Sequence, residues 1–270
     1  ADLLAAVTQN DEVNLIASLL AKEAGVSQTV VRIQTEELRG ESGASLRAAM
    51  RADVVIDPDA DTADEIMELQ AAAGADEVYQ MSGGDLIVLG CKIGEGSALA
   101  GSTLAEIGAS FEPDWSFLFG TVTQKSETVI PRGDRRLEVG DHVRVLTSRK
   151  DGNKILELLG ASHRRAKRVM VLGGGAVGSR VAERLQVVGA DVVLVERDFE
   201  RARLLSERLP QITVVRGDIE DIDLLSEERI SDKDLVIAAT GDDAANVLAC
   251  AFAATGCDTY TMAVIHRLSL

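Results

Sequence analysis

Three glycines, Gly173, Gly175 and Gly178, have the spacing of a turn that holds the pyrophosphate of a dinucleotide. In such a turn the first glycine permits a tight bend, the second leaves space for phosphate beside the backbone, and the third lets helix and strand pack closely. The N–H groups and partial positive charge at the start of the next helix favour a phosphate. The pattern therefore predicts a nucleotide site that also includes three intervening loop residues: Gly174, Ala176 and Val177.

The residues around this turn follow the order of a nucleotide-binding unit. An apolar run at 169–172 precedes the glycines, a helical pattern covers 177–188, and a second apolar run at 192–195 ends in Glu196. A carboxylate at that point can accept hydrogen bonds from ribose hydroxyls, which favours a nucleotide without a 2′-phosphate. The alternative is a doubly wound domain that keeps its glycines for turning and has lost its ligand.

Two further apolar runs end in polar residues. The run at 212–215 leads to Asp218, and the run at 235–239 leads to Thr240 and Gly241. Ligands of such folds bind at the carboxyl ends of the strands, so Asp218 is a candidate contact for the adenosine part. Asp242 or Asp243 either caps the next helix or contacts the ligand, and the sequence leaves both alternatives open.

The composition argues against some kinds of binding partner and location. The net charge of −16 repels a nucleic-acid backbone, and only 3% of the residues are aromatic, so no nucleic-acid partner is expected. The basic cluster at 163–168 is the local exception, interpreted as a solvated linker over the alternative of a binding patch. No apolar run approaches the ~20 residues of a membrane span, and the three cysteines lack a CxxC spacing, which indicates a cytoplasmic protein with reduced thiols.

Catalytic and metal-binding patterns are not found in the sequence. The three histidines are scattered at His142, His163 and His266, without the order of a nucleophile and its base. The loop around Gly96 and Gly101 imitates a phosphate loop but has a serine where lysine is required. We therefore expect no catalytic residue, no metal site and no enzyme activity.

The chain contains an internal repeat with an offset of 232 positions. Seven identities fall within residues 2–17: Asp2/Asp234, Leu3/Leu235, Ala6/Ala238, Thr8/Thr240, Asp11/Asp243, Asn14/Asn246 and Ala17/Ala249. The chain is thus expected to begin inside one nucleotide-binding domain and to contain a second. We predict that it is a fragment of a longer tandem protein, incomplete at both ends.

The predicted fold class is α/β, with Rossmann-like parallel-sheet units separated by a small, β-rich α+β domain. The predicted domains are 1–57, the end of a first Rossmann domain with a crossover; 58–160, the β-rich domain; and 164–270, a second Rossmann domain. Strands are predicted at 77–81, 86–93, 116–123, 127–130 and 142–147, and helices at 44–52, 63–73 and 103–107. Thr62 is the expected N-cap of the helix at 63–73, after a break at 57–59.

Several segments together resemble one known family. They are VMVLGGGAVG, VVLVER and VVRGD; IAATGDDAANVLAC and its partner LAAVTQNDEVNLIAS; and EGSALAGSTLAEIG and IPRGDRRLEVGDHVRVL. The chain resembles, over essentially all of its length, the regulatory subunits of Trk-type bacterial potassium uptake systems. These subunits are built from tandem RCK (regulator of potassium conductance) units, each a Rossmann domain followed by a small β-rich domain.

The resemblance implies a cytosolic protein peripheral to the inner face of the membrane. It implies a homotetrameric ring beneath an integral membrane potassium transporter subunit of the TrkH-like kind, binding NAD⁺ or NADH and in some members ATP or ADP. Ligand binding would gate potassium uptake by changing the conformation of the ring. The residues it assigns to nucleotide binding are Gly173, Gly174, Gly175, Ala176, Val177, Gly178, Glu196, Arg197, Asp218, Ile219, Thr240 and Gly241, and in the partial first unit Thr8, Gln9 and Arg32.

Two other functions fit parts of the sequence. A Rossmann unit alone permits a fragment of an NAD-dependent dehydrogenase, which would also need a general acid–base near the nicotinamide and a substrate domain. The other alternative is a structural adaptor whose nucleotide site is inactive. The intact glycines and Glu196 argue against the adaptor.

Overall fold

The computed structural model describes residues 1–35, 38, 45–46, 48–113, 115–161, 166–255 and 259–266. The chain divides into two compact units, residues 1–64 and residues 65–270. Among the helices of these described residues, none has both the length and the apolar character needed to cross a bilayer.

The unit at 1–64 contains a parallel sheet of three strands in the order β1-β2-β3. Its elements are β1 Leu3–Ala6, α1 Asp11–Glu23, β2 Gln28–Arg32 and β3 Val54–Ile56. The N-cap of α1 is Asn10, whose side chain accepts a hydrogen bond from the N–H of Val13. Of the helix predicted at 44–52, residues 45, 46, 48 and 49 are helical, while 44 and 47 lie outside the described residues.

Helix α2, Pro58–Ala71, begins earlier than the sequence pattern indicated. The predicted break at 57–59 and the predicted cap at Thr62 are wrong. Proline suits the first turn of a helix, and Asp57 Oδ1 accepts a hydrogen bond from the N–H of Ala60 at 3.1 Å. Thr62 lies within the helix and donates its hydroxyl hydrogen to the Pro58 carbonyl at 2.8 Å.

The antiparallel module, residues 75–161, forms one sheet of five strands in the order β4-β5-β8-β6-β7. Its elements are β4 Glu77–Met81, β5 Leu86–Lys92, α3 Leu104–Phe111, β6 Phe117–Gln124, β7 Glu127–Val129, β8 His142–Ser148 and α4 Gly152–Leu158. Every predicted strand of this region is present, within one residue at each end. Helix α4 was not predicted; Ile155 and Leu156 on it are fully buried in the core of the module.

The second Rossmann-like sheet is parallel throughout, in the order β11-β10-β9-β12-β13. Its elements are β9 Arg168–Leu172, α5 Ala176–Val187, β10 Asp191–Glu196, α6 Phe199–Arg208, β11 Thr213–Arg216, α7 Ile222–Glu227, β12 Leu235–Ala238, α8 Asp243–Ala253 and β13 Tyr260–Ala263. Of the basic cluster at 163–168, positions 163–165 lie outside the described residues.

Strands β9 and β12 are neighbours, and the chain runs outward from them in opposite directions. This is the switch point of a doubly wound sheet, where a crevice forms at the carboxyl ends of the strands. The predicted fold class is confirmed: parallel Rossmann-like sheets and an antiparallel module between them in sequence.

Candidate functional site

The glycine loop, residues 173–178, joins β9 to α5 at this switch point. Gly173 has φ +102°, and a Cβ there would lie 2.9 Å from the Ala239 carbonyl oxygen. A Cβ on Gly178 would collide with the carbonyl oxygen of Gly173, whereas one on Gly175 would meet no atom within 4 Å. The geometry thus agrees with the tight turn, the close packing and the open approach that the spacing predicts.

The start of α5 differs from the starts of α6 and α8. Asp198 and Asp242 cap those two helices with their side chains, but the N-cap of α5 is Gly175, which offers no side-chain acceptor. The open space over Gly175 therefore adjoins an uncapped helix N-terminus. Such a terminus is suited to an anion because its N–H groups point outward and carry partial positive charge.

Glu196, the last residue of β10, binds the glycine loop through its carboxylate. Its carboxylate accepts the N–H of Gly174 on Oε2 at 2.8 Å and the N–H of Asp198 on Oε1 at 2.7 Å. The residue is 7% exposed, and Arg201 Nη1 lies 3.9 Å from Oε2. A carboxylate has about four acceptor positions, and these two bonds occupy one on each oxygen.

The ends of β10 and β11 bring two other predicted residues together. Arg197 Nη1 lies 3.6 Å from Asp218 Oδ2, and Asp218 Oδ1 accepts the N–H of Glu220 at 3.1 Å. Ile219 is 8% exposed and its side chain belongs to the apolar core. The Ile219 side chain therefore faces the core, and a nucleotide contact at this position would involve its backbone.

Asn246, which sequence analysis did not assign to the site, holds the loop after β12. Its Oδ1 accepts from Thr240 N at 3.1 Å and Thr240 Oγ1 at 2.6 Å, and its Nδ2 donates to Thr240 O at 3.0 Å and Val264 O at 2.9 Å. The residue is fully buried. The occurrence of asparagine at both positions of the repeat, Asn14 and Asn246, was the sequence signal that could have indicated this role. Gly241, beside Thr240, has open space around it.

The two alternatives for Asp242 and Asp243 are separated by their partners. Asp242 Oδ1 accepts the N–H groups of Ala244 and Ala245, both at 3.0 Å, and so caps α8. Asp243 Oδ1 accepts the N–H of His266 at 3.0 Å and lies 2.8 Å from His266 Nδ1. Capping is thus the observed role of Asp242, while Asp243 fixes the segment after β13.

Two of the three predicted residues of the first unit, Thr8 and Arg32, contact Asn14. Thr8 donates to Asn14 Oδ1 from its N–H at 2.9 Å and its hydroxyl at 2.7 Å, and Asn14 Nδ2 donates to Arg32 O at 3.0 Å. Within the described residues, the buried Nε of Arg32 has no hydrogen-bond partner. Gln9 is exposed. Thr8 and Arg32 are therefore joined through Asn14, and Gln9 is not drawn into that arrangement.

Comparison with known proteins identifies two domains. A family model described as the TrkA-C domain matches residues 89–160, and one described as the TrkA-N domain matches residues 169–269. A Trk system potassium uptake protein TrkA homolog of Archaeoglobus fulgidus is 34% identical over 92% of this chain and 55% of the relative. The Trk system potassium uptake protein TrkA of Halomonas elongata is 32% identical over 92% of this chain and 54% of the relative. The chain spans a little more than half the length of these curated relatives.

Solved structures agree on the fold. The crystal structure of the GsuK RCK domain superposes with a TM-score of 0.60 at 16% identity, covering 97% of this chain and 54% of that chain. The GsuK channel bound to NAD gives a TM-score of 0.58 at 17% identity, covering 92% of this chain and 42% of that chain. The resemblance inferred from the sequence motifs is confirmed: the chain belongs to the TrkA family and contains a TrkA-C domain followed by a TrkA-N domain.

Proposed function

We propose that this chain is part of a nucleotide-sensing regulatory subunit of a Trk-type potassium transporter. The observation that carries the proposal is the uncapped N-terminus of α5, open above Gly175 and adjoining the carboxylate of Glu196. Phosphate would lie over the helix start and ribose beside the carboxylate. The names of the curated relatives supply the potassium uptake system.

The proposed ligand is NAD⁺ or NADH, with ATP and ADP as alternatives that share its ribose and phosphates. A carboxylate at the ribose position disfavours a 2′-phosphate, which argues against NADP. The related GsuK channel is described as bound to NAD. The residues proposed to contact the ligand are the glycine loop, Glu196, Arg197, Asp218, the backbone of Ile219, Thr240 and Gly241, with Thr8, Gln9 and Arg32 at the partial first site.

The proposed domains are 1–57, 58–160 and 164–270, and the proposed location is the cytoplasmic face of the membrane. The proposed partners are an integral membrane potassium transporter subunit of the TrkH-like kind and other copies of the protein, in a homotetrameric ring.

One face of α1 supports self-association: Val13, Ile16 and Leu20 are spaced at i, i+3 and i+7 and are 51%, 51% and 63% exposed. An exposed apolar stripe of this kind is typical of an interface.

The proposed action is regulatory, with no catalytic residue. A nucleotide changes the transporter only if it binds two conformations of the regulatory ring with different affinity. A coupling of about 1–3 kcal/mol between nucleotide site and transporter would be ordinary. The transporter's activity would then follow the occupancy of the nucleotide site.

The test is a thermal-shift titration of the purified chain with NAD⁺, NADH, ATP, ADP and NADPH. Ligand at one hundred times its dissociation constant stabilises the folded state by about 2.7 kcal/mol. We expect a clear shift with NADH or NAD⁺ and none with NADPH. No shift with any nucleotide would favour a structural adaptor.

Two glycine variants sharpen this test. Gly175→Val places a side chain in the open space over α5 and should abolish the shift. Gly96→Val is the matched control, because a Cβ at Gly96 also meets no atom within 4 Å but lies in the antiparallel module. An unchanged NADH shift in Gly175→Val would refute the assignment of the site.

A further inference from the structure

Strand β13 is attached to the candidate nucleotide site at its carboxyl end. The carbonyl of Val264, just after the strand, accepts a hydrogen bond from Asn246 Nδ2 at 2.9 Å. The same asparagine accepts both the N–H and the hydroxyl hydrogen of Thr240. Because Asn246 is fully buried, a displacement of the Thr240 loop would be passed to the end of β13.

The other end of β13 contacts the antiparallel module. The hydroxyl of Tyr260 donates to the carbonyl oxygen of Ala75 at 3.3 Å. Ala75 is 1% exposed and belongs to the core of the module, and the next N–H, of Asp76, donates to Gly90 O at 2.9 Å. Burial raises the pKa of the Tyr260 hydroxyl and the charge of Asp76 adds to the increase, so this group stays a donor.

Comparison of the two repeats distinguishes the backbone hydrogen bond of β13 from the hydroxyl contact of Tyr260. Gln28 occupies the position of Tyr260 in the first repeat, at the same offset of 232. Both residues donate their backbone N–H at 3.1 Å, Gln28 to Asp2 O and Tyr260 to Asp234 O. The backbone bond is therefore part of the repeated fold, whereas the tyrosine hydroxyl contact is specific to the second copy.

We infer that β13 couples the nucleotide site to the antiparallel module, with Tyr260 as the positioning residue that makes the connection. The inference rests on the proposed function. β13 is hydrogen-bonded along its length to β12, the strand that leads into the Thr240 loop. A nucleotide that favours one position of the Thr240 loop would favour one position of β13, and through Tyr260 would stabilise the start of β4.

Hydrogen exchange with and without NADH tests the coupling. In the parent protein NADH should slow exchange in the glycine loop and also, by about fivefold, in the segment from Ala75 to Lys92. Tyr260→Phe keeps the ring and removes the hydroxyl. This variant should retain the effect at the glycine loop and lose the effect in the module.

Tyr79→Phe is the matched control. The hydroxyl of Tyr79 makes no hydrogen bond to a described residue and its side chain is exposed, so this variant should behave like the parent. Protection of the glycine loop alone in the parent protein, or an unchanged module effect in Tyr260→Phe, would overturn the coupling. No effect of NADH, NAD⁺, ATP or ADP on exchange anywhere in the chain would overturn the proposed function, and the coupling with it.

Discussion

The second half of a Rossmann unit occurs twice in this chain, and the two copies share hydrogen bonds as well as residues. We call residues 2–34 the first repeat and residues 234–266 the second repeat. Asn14 binds Thr8 and the carbonyl of Arg32 in one, as Asn246 binds Thr240 and the carbonyl of Val264 in the other.

The aspartate at the start of the helix also makes the same backbone contact in both repeats. Asp11 accepts the N–H of Gln34 at 3.0 Å, and Asp243 accepts the N–H of His266 at 3.0 Å. The glycine loop at 173–178 lies in the same Rossmann-like sheet unit as the second repeat, outside the repeated residues. The comparison teaches that the Thr–Asn arrangement is a structural device that ties a strand end to the next strand. The helix N-terminus without a side-chain cap, at Gly175, is a feature of the glycine loop and not of the repeat.

The largest expected effect is on the close packing that is particular to the glycine loop. Gly178→Ala would press a methyl group onto the carbonyl of Gly173, and should cost about 3 kcal/mol of unfolding free energy. Amide protection from hydrogen exchange should decrease in α5 and stay unchanged in α1. Gly96→Ala, which meets open space, is the control. A cost below about 1 kcal/mol would show that the helix shifts freely.

The two buried asparagines test the shared device directly. Asn14→Ala and Asn246→Ala should each cost about 2–3 kcal/mol, because each removes a fully buried side chain that makes four hydrogen bonds. Urea unfolding followed by hydrogen exchange in α1 and α8 measures both costs. Only Asn246→Ala should also reduce the thermal shift with NADH. An equal reduction by Asn14→Ala would remove the distinction between the repeats.

A pH-dependent contribution is expected in the second repeat. Burial alone would raise the pKa of Asp234, but hydrogen bonds from the side chain and N–H of Arg168 and from the N–H of Lys167 bring it down to about 2, from an ordinary value of 3.8. Because the folded-state pKa is the lower one, this stabilisation is present above about pH 4 and is lost as the pH falls toward 2.

Asp234→Asn isolates that contribution. Since the side chain is about one-third exposed, we expect the variant to lose about 1–2 kcal/mol at pH 6 and much less at pH 2.5. Urea midpoints at both pH values measure the difference. Glu183→Gln, an exposed carboxylate on α5, is the control. A difference from the parent that stays constant with pH would contradict the assignment to Asp234.

The smallest expected effect is on the two helix caps. Asn10→Ala and Asp242→Ala each remove a side-chain acceptor from the first turn of a helix, α1 or α8, and should each cost about 1 kcal/mol. Exchange rates of the first-turn amides measure this. If Asp242→Ala also weakened NADH binding severalfold, the residue would have a ligand role beyond its cap.

Much of the fold was predictable because its signals are local. Short runs of strand-forming residues separated by turns indicated every strand of the antiparallel module, and the glycine spacing with its flanking runs indicated the strand, turn and helix of the second Rossmann unit. The repeat with its offset of 232 positions is visible in the sequence alone. The helices α4 and α7 were missed because seven and six residues are too few to display a helical period.

The sequence by itself therefore determined the fold class, the family and the location of the glycine loop, since these depend on spacing within short segments. Only the tertiary structure decided which side chains meet. Glu196 reaches the N–H of Gly174 across 22 positions, Asn246 reaches Val264 across 18, and Tyr260 reaches Ala75 across 185. Such contacts depend on how the strands are ordered in the sheet and where the module packs, and no local periodicity encodes either.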